Sequence, residues 1–268
     1  MWRSTTSGRR ALKTLVIALR SRSARLYVGM TTSTLRLLGN VRCAFCINAQ
    51  KLTDFSAEDW NLGARPRSGL RNTIAYVGAS NSDQLEYYRE IFQPAMQTIS
   101  SCQCRMILTR AFPEDAHFMQ NADVIVLAGG SVEVGWRAFL QNGFRELILR
   151  RFYEGATLVG VSAGAVQLGQ GGLSDDGTTL LKTFGLLPFY VSVHEEKQKW
   201  ECLYQTLAMA PQAARGMGIP SGAGLIYNAG EVEPVCSSLQ EIVLESGQAR
   251  ENVLFSSELV ATLSHRAP

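Results

Sequence analysis

The sequence predicts an α/β protein: a three-layer sandwich on a mostly parallel sheet, with a small β-rich C-terminal extension. Three observations carry that expectation. Short strands are apolar throughout, helical segments alternate with them, and glycine-containing loops follow their carboxyl ends. Crossover helices cover a parallel sheet from both sides, so its strands read as unbroken apolar runs.

Residues 73–77 (TIAYV) form the first such strand, stopped by Gly78-Ala-Ser80. Residues 83–99 place apolar side chains at helical spacing, with Pro94 expected to kink the helix. A second strand over 105–109 and a short helix over 114–121 follow, then a strand over 122–127 that runs into Ala128-Gly-Gly-Ser131. A helix over 132–152 is broken at Asn142-Gly143, and a strand over 156–161 leads into a helix from residue 163. A strand-like run, Phe189-Tyr-Val-Ser-Val193, ends at His194 and opens the helix KQKWECLYQTLAM. From about residue 215 the chain turns to short strands and Gly-rich turns, expected to pack on the same sheet. Ligands of such sheets gather beyond the carboxyl ends of the strands, where loops 78–81, 128–131 and 160–164 fall.

At 268 residues, 46% hydrophobic and 18% charged, the chain can bury a substantial core. No apolar run approaches the roughly 20 residues that span a bilayer, so no membrane role is expected. The six cysteines are irregularly spaced, unlike a disulfide framework, and indicate a reducing compartment. Cys43-x-x-Cys46 and Cys102-x-Cys104 have no second matching pair, and there are only three histidines, so neither metal nor cofactor is expected. Residues 1–53 carry ten Lys or Arg and no acid, whereas the remainder holds 16 basic and 23 acidic residues, a balance of −7. Within this basic segment Leu12, Leu15, Val16 and Leu19 share one helical face, away from Arg9, Lys13 and Arg20. That is the character of a mitochondrial transit peptide, with the cytoplasm as the alternative location. The expected organisation is a partly disordered N-terminal segment, 1–53, and one α/β domain over 54–268. No basic stripe with interleaved aromatic residues suggests nucleic acid.

The chemistry centres on Gly160-Val-Ser162-Ala-Gly164, a small-x-nucleophile-x-small pattern set between a buried strand and a helix. Side chains two residues either side of the nucleophile would collide in so sharp a turn. Ser162 is therefore the expected nucleophile. The N–H of Ala163, at the start of the helix, would face a developing oxyanion, and the loop Ala128-Gly129-Gly130-Ser131 can supply a second donor and approach the substrate closely. Serine needs a base. His265 stands in the C-terminal tail and His117 in a polar helix, which leaves His194, at the edge of an element, as the expected base.

The ordered set Ala128-Gly-Gly-Ser131, Gly160-Val-Ser-Ala-Gly-Ala165, Gly185-Leu-Leu-Pro188 with His194, and Gly218-Ile-Pro-Ser-Gly-Ala223 resembles the aspartyl dipeptidase and cyanophycinase family of serine peptidases. The resemblance covers about residues 72–235 and implies a class I glutamine amidotransferase-like (flavodoxin-like) fold. It implies Ser162 as nucleophile, His194 as general base, and amides near Gly130 and Ala163 as the oxyanion hole, with Gly129, Ser131 and Ser221 near the substrate. At the position where aspartyl dipeptidases carry the acid that orients the histidine, this chain has Ser221, and a hydroxyl does not stabilise imidazolium as a carboxylate does. The replacement candidates are Glu196, in a His-x-Glu arrangement, Glu195, Asp175 and Asp176. Lys197 and Lys199 are the candidates for holding an acidic substrate side chain.

The expected activity is therefore serine-type hydrolysis of a small peptide or amino-acid-derived substrate, by a dipeptidase or isopeptidase-like enzyme, with a homodimer left open. The alternative is a catalytically weak relative that binds a small ligand or partner in the same pocket, a reading that Ser221 favours. A glutaminase would use a thiol where this elbow holds Ser. An α/β-hydrolase would place its histidine much farther along the chain than the 32 residues between Ser162 and His194.

Overall fold

A computed structural model of the chain describes residues 16–20, 24–28, 72–99, 102–110, 112–211, 213–228, 231–235 and 237–255. The main sheet has a parallel half of four strands: β3 (Asn72–Val77), β4 (Cys102–Ile107), β5 (Val124–Leu127) and β6 (Thr157–Gly160), in the order β4-β3-β5-β6. The register sets Ile74 opposite Val124 and Leu127 opposite Gly160. Strands β3, β5 and β6 are almost wholly buried, as their unbroken apolar sequence requires.

Alternation along these strands divides the core between two helical layers. Ala75, Val77, Ile125, Leu127 and Leu158 join one cluster with Met119 of α3 (Pro113–Asn121), Phe139 of α4 (Val132–Gln141), Ile148 of α5 (Phe144–Glu154) and Leu168 of α6 (Ala163–Leu168). On the opposite face Tyr76 packs against Tyr88 and Phe92, with ring centroids 5.5 and 4.7 Å apart. Those rings belong to the helical stretch formed by α1 (Leu85–Tyr87), a π turn (Tyr88–Phe92) and α2 (Gln93–Ile99). The kink expected at Pro94 takes the form of this π turn: proline has no N–H for the Glu90 carbonyl, and a wider turn absorbs the mismatch. Gly143, at φ 68°, separates α4 from α5 where the break was expected.

The other half of the main sheet is antiparallel and differs from the sequence reading. Here β1 (Val16–Arg20) and β2 (Ala24–Val28) form a hairpin, with β1 beside β6 and β2 beside β11 (Gly224–Asn228), which in turn pairs with β12 (Glu231–Val235). Residues 16–20 are thus strand, not part of an amphipathic helix. Both segments contain β-branched or aromatic residues, and β6 and β11 offer backbone ladders that override the helical periodicity. Leu12, Leu15 and the rest of the expected helix lie outside the described residues.

The C-terminal extension divides between two sheets. While β11 and β12 extend the main one, β9 (Tyr190–Val193), β10 (Ala214–Ile219), β13 (Leu239–Glu245) and β14 (Gln248–Leu254) form a second sheet in the order β14-β13-β10-β9. Its apolar side, through Val191, Met217 and Ile219, joins the main core. Helix α7 (Glu201–Ala208) covers the other side with Leu203 and Leu207 beside Trp200. The helix starts later than its sequence suggests, because Lys199 and Trp200 take left-handed φ values of 52° and 64°. A short hairpin, β7 (Gly171–Leu173) with β8 (Leu180–Lys182), follows α6 in the chain and precedes β9, with Gly171 and Gly172 buried.

Candidate active site

Ser162 stands between β6 and α6 with φ 49° and ψ −106°, a region a side chain rarely occupies. The small neighbours are sterically compulsory. A Cβ on Gly160 would lie 2.3 Å from the Gly164 carbonyl oxygen, and one on Gly164 would lie 2.3 Å from that of Leu127. The elbow helix is buried along its whole length, and Ser162 itself is half-buried.

The 128–131 loop lies directly beside the elbow. A Cβ on Gly129 would be 3.3 Å from the Ser162 Cβ. Gly130 adopts φ 130°, and a side chain there would strike the Ser80 carbonyl, which accepts the Ser131 N–H at 2.8 Å. Among the described residues no backbone carbonyl accepts from the N–H of Gly130 or Ala163. Ala163 is the first residue of its helix, whose N–H has no intrahelical acceptor.

One buried side chain locks these parts together. Gln167, on the elbow helix, donates from Nε2 to Ser80 Oγ at 3.0 Å and to the Val132 carbonyl at 3.0 Å. It is fully buried. The helix that follows Ser162 is thereby tied to the loop after β3 and to the first turn of α4. Sequence reading did not single out Gln167 or Ser80, although an amide inside the otherwise apolar helix AGAVQL is the available signal.

The expected base sits on the second sheet. His194 follows β9 with φ 65°, and its N–H donates to the Ile219 carbonyl at 3.0 Å. The parallel pairing of Val193 with Ile219 carries the Pro220-Ser221-Gly222 turn to the same edge. Strand β9 is joined to the end of the elbow helix, since Gln170 N–H donates to the Phe189 carbonyl at 3.1 Å.

The four candidate acids have different surroundings. Glu196 is the one beside His194. Partial burial pushes its carboxyl up, but hydrogen bonds from its own N–H and from the Ser221 hydroxyl and N–H, with the His194 charge, hold it below the usual carboxylate range. Glu195 accepts the Ser192 hydroxyl at 2.5 Å. It also accepts the Cys202 thiol, and this bond, with burial and nearby carboxylates, pushes that thiol up to about 11. Asp175 accepts the Ser131 hydroxyl at 2.7 and 2.8 Å. Asp176 is held down at about 2 by the Ser174 hydroxyl and the Thr178 N–H and hydroxyl, closing its own turn.

Ser131 and Ser221 are thus both engaged within the protein. Ser131 accepts the Val134 N–H at the start of α4 and donates to Asp175, whereas Ser221 donates to Glu196. Lys197 and Lys199 are exposed, as is His117 on α3, and His265 lies outside the described residues.

The chain's family places it among the serine-type peptide hydrolases. More particularly, it belongs to peptidase family S51, whose family model matches residues 65–235. No curated protein matches the chain. Among solved structures, a peptidase from an acI-B1 Actinobacterium aligns over 67% of this chain and 83% of its own, with 16% identity and a TM-score of 0.50, a likeness of fold. A protein assigned as peptidase E from Listeria monocytogenes EGD-e aligns over 62% of this chain and 87% of its own, with 18% identity and a TM-score of 0.49.

Proposed function

We propose that the chain cleaves short peptides, as a dipeptidase or isopeptidase-like enzyme, through an acyl-enzyme on Ser162. The observation that carries this reading is the backbone of Ser162, held at φ 49° and ψ −106° although it is not glycine. A pocket that only binds gains nothing from a strained serine, whereas a nucleophile gains an exposed hydroxyl. Ser162 Oγ attacks the scissile carbonyl while His194 takes its proton and then passes it to the leaving amine. The N–H groups of Gly130 and Ala163 receive the oxyanion, and the 128–131 loop borders the acyl side of the substrate. Glu196, supported by Ser221, orients the imidazole and balances its charge. Water then repeats the sequence on the acyl-enzyme, releasing the acid and restoring Ser162.

The rival reading, a pocket that binds without cleaving, draws on the exposure of Glu196 and its sharing with Ser221. Labelling by a fluorophosphonate separates the two. Covalent modification at Ser162 is expected, absent in Ser162→Ala and reduced about 1,000-fold or more in His194→Ala. Well-folded protein that takes no label would sink the catalytic reading. A dipeptide library with varied N-terminal residues then identifies the substrate.

A further inference from the structure

The β7–β8 hairpin reaches three parts of the candidate site. At its base, a Cβ on Gly172 would lie 2.4 Å from Val166 Cγ1 on the elbow helix and 3.5 Å from Val132 Cγ1 at the start of α4. At its tip, the Gly177 carbonyl accepts Gln205 Nε2 of α7 at 2.7 Å. Between the two, Asp175 meets the 128–131 loop. Its carboxylate oxygens accept the Ser131 hydroxyl at 2.8 and 2.7 Å, and its N–H donates to Glu133 Oε2 at 3.2 Å. The tip also closes on itself: Ser174 donates its N–H to the Thr179 carbonyl and accepts the Gly177 N–H at its own carbonyl, each at 2.8 Å. Asp175 therefore stands on an anchored turn, not on a free loop.

What Asp175 holds is the residue that follows Gly130. Glycine resists few backbone angles, so the aim of the Gly130 N–H is set by the residues on either side of it. On one side Gly129 is packed beside Ser162. On the other, Ser131 donates its N–H to the Ser80 carbonyl at 2.8 Å and accepts the Val134 N–H on its hydroxyl oxygen at 3.0 Å. Those two bonds leave the single hydroxyl proton unused, and Asp175 takes it. A hydrogen bond to a carboxylate is about twice as strong as one between neutral groups. An oxyanion donor works only within a few tenths of an ångström of its place, so a bond that steadies this loop bears on rate.

We propose, on the acyl-enzyme reading of Ser162, that Asp175 is a positioning residue. Through Ser131 it holds the Gly130 N–H where the oxyanion develops. This role needs an acceptor oxygen and not a charge, which sets it apart from a carboxylate that balances imidazolium or grips a cationic substrate.

The test is the rate of fluorophosphonate labelling at Ser162, measured across a range of pH in the full-length protein and its variants. Asp175 is exposed, so its replacements should leave the melting temperature close to that of the parent. Asp175→Ala should label about 10-fold more slowly, less than the loss of a whole oxyanion donor. Asp175→Asn should recover most of the rate, because its amide oxygen still accepts the Ser131 hydroxyl, and the acid limb of its pH profile should stay in place. In a Ser131→Ala background, Asp175→Ala should slow labelling no further. Labelling of Asp175→Ala at the parent rate would overturn the proposal and leave the acyl-enzyme reading intact. An Asn variant as slow as the Ala variant, a shifted acid limb, or a full further loss in the Ser131→Ala background would overturn it too. A parent that takes no label would sink the acyl-enzyme reading itself, and this proposal with it.

Discussion

Around Ser162 the chain is fixed by its backbone. Gly160, Gly164 and Gly130 sit where any side chain would strike a carbonyl, and the elbow helix is buried throughout. Around His194 it is held by hydrogen bonds, the histidine by its own N–H on the Ile219 carbonyl and its neighbouring acid by Ser221. Glu196 is exposed, and hydroxyl and amide donors of Ser221 hold its carboxylate. The two halves also stand on different sheets, the elbow on β6 and the histidine on β9. Sterics admit few solutions, whereas hydrogen bonds among exposed groups can be rebuilt by other residues. The Ser162 half should therefore fail abruptly on mutation and the His194 half by degrees.

The largest break should come from Gly160→Ala, whose Cβ has two backbone groups within 2.5 Å. Urea unfolding should show a loss of about 3 kcal/mol or more, unless the protein fails to fold at all. Gln167→Ala comes next, since it leaves Ser80 and the Val132 carbonyl without their buried partner. About 2 kcal/mol of stability should go, and fluorophosphonate labelling should slow about 10- to 100-fold as the 128–131 loop slackens. If stability falls but labelling does not, the tether is structural only.

The His194 half should respond more gently. Glu196→Gln removes a negative charge that favours imidazolium, so the acid limb of the pH–rate profile should move to lower pH while the fold persists. The depressed Glu196 carboxyl contributes stability above its unfolded value near 4.5 and loses it as pH falls through the lower folded value. The variant's pH–stability curve should accordingly flatten in that range. Smallest of all should be Ser221→Ala, expected to change the rate by less than about threefold because its backbone N–H still reaches Glu196. A loss from Ser221→Ala as large as that from His194→Ala would mean that the two halves are equally rigid, and the comparison would fail.

The same contrast explains what could be read in the sequence. The parallel strands and the elbow are written locally, as apolar runs and as a spacing of small residues that follows from one steric requirement. The aspartyl dipeptidase resemblance pointed to the right family, whose model spans residues 65–235. The strands at Val16–Arg20 and Ala24–Val28 were not legible: they form a local hairpin, but the ladders that take it into the sheet, β6 and β11, lie more than a hundred residues away. Nor was the division of the C-terminal strands between two sheets, which depends on pairing and not on composition. Among the four candidate acids the His-x-Glu spacing pointed to Glu196, but the different hydrogen bonds of Glu195, Asp175 and Asp176 could not be read from spacing.

The backbone of Ser162 has a practical corollary. Glycine occupies φ 49° without the penalty that serine bears there, about 1–3 kcal/mol. Replacing this one side chain with hydrogen should give a protein that melts at a higher temperature than its parent and that, under the proposed acyl-enzyme mechanism, lacks its attacking oxygen. Such a relaxed, silent form would hold an uncut peptide long enough to be seen bound, and so reveal what the active form consumes.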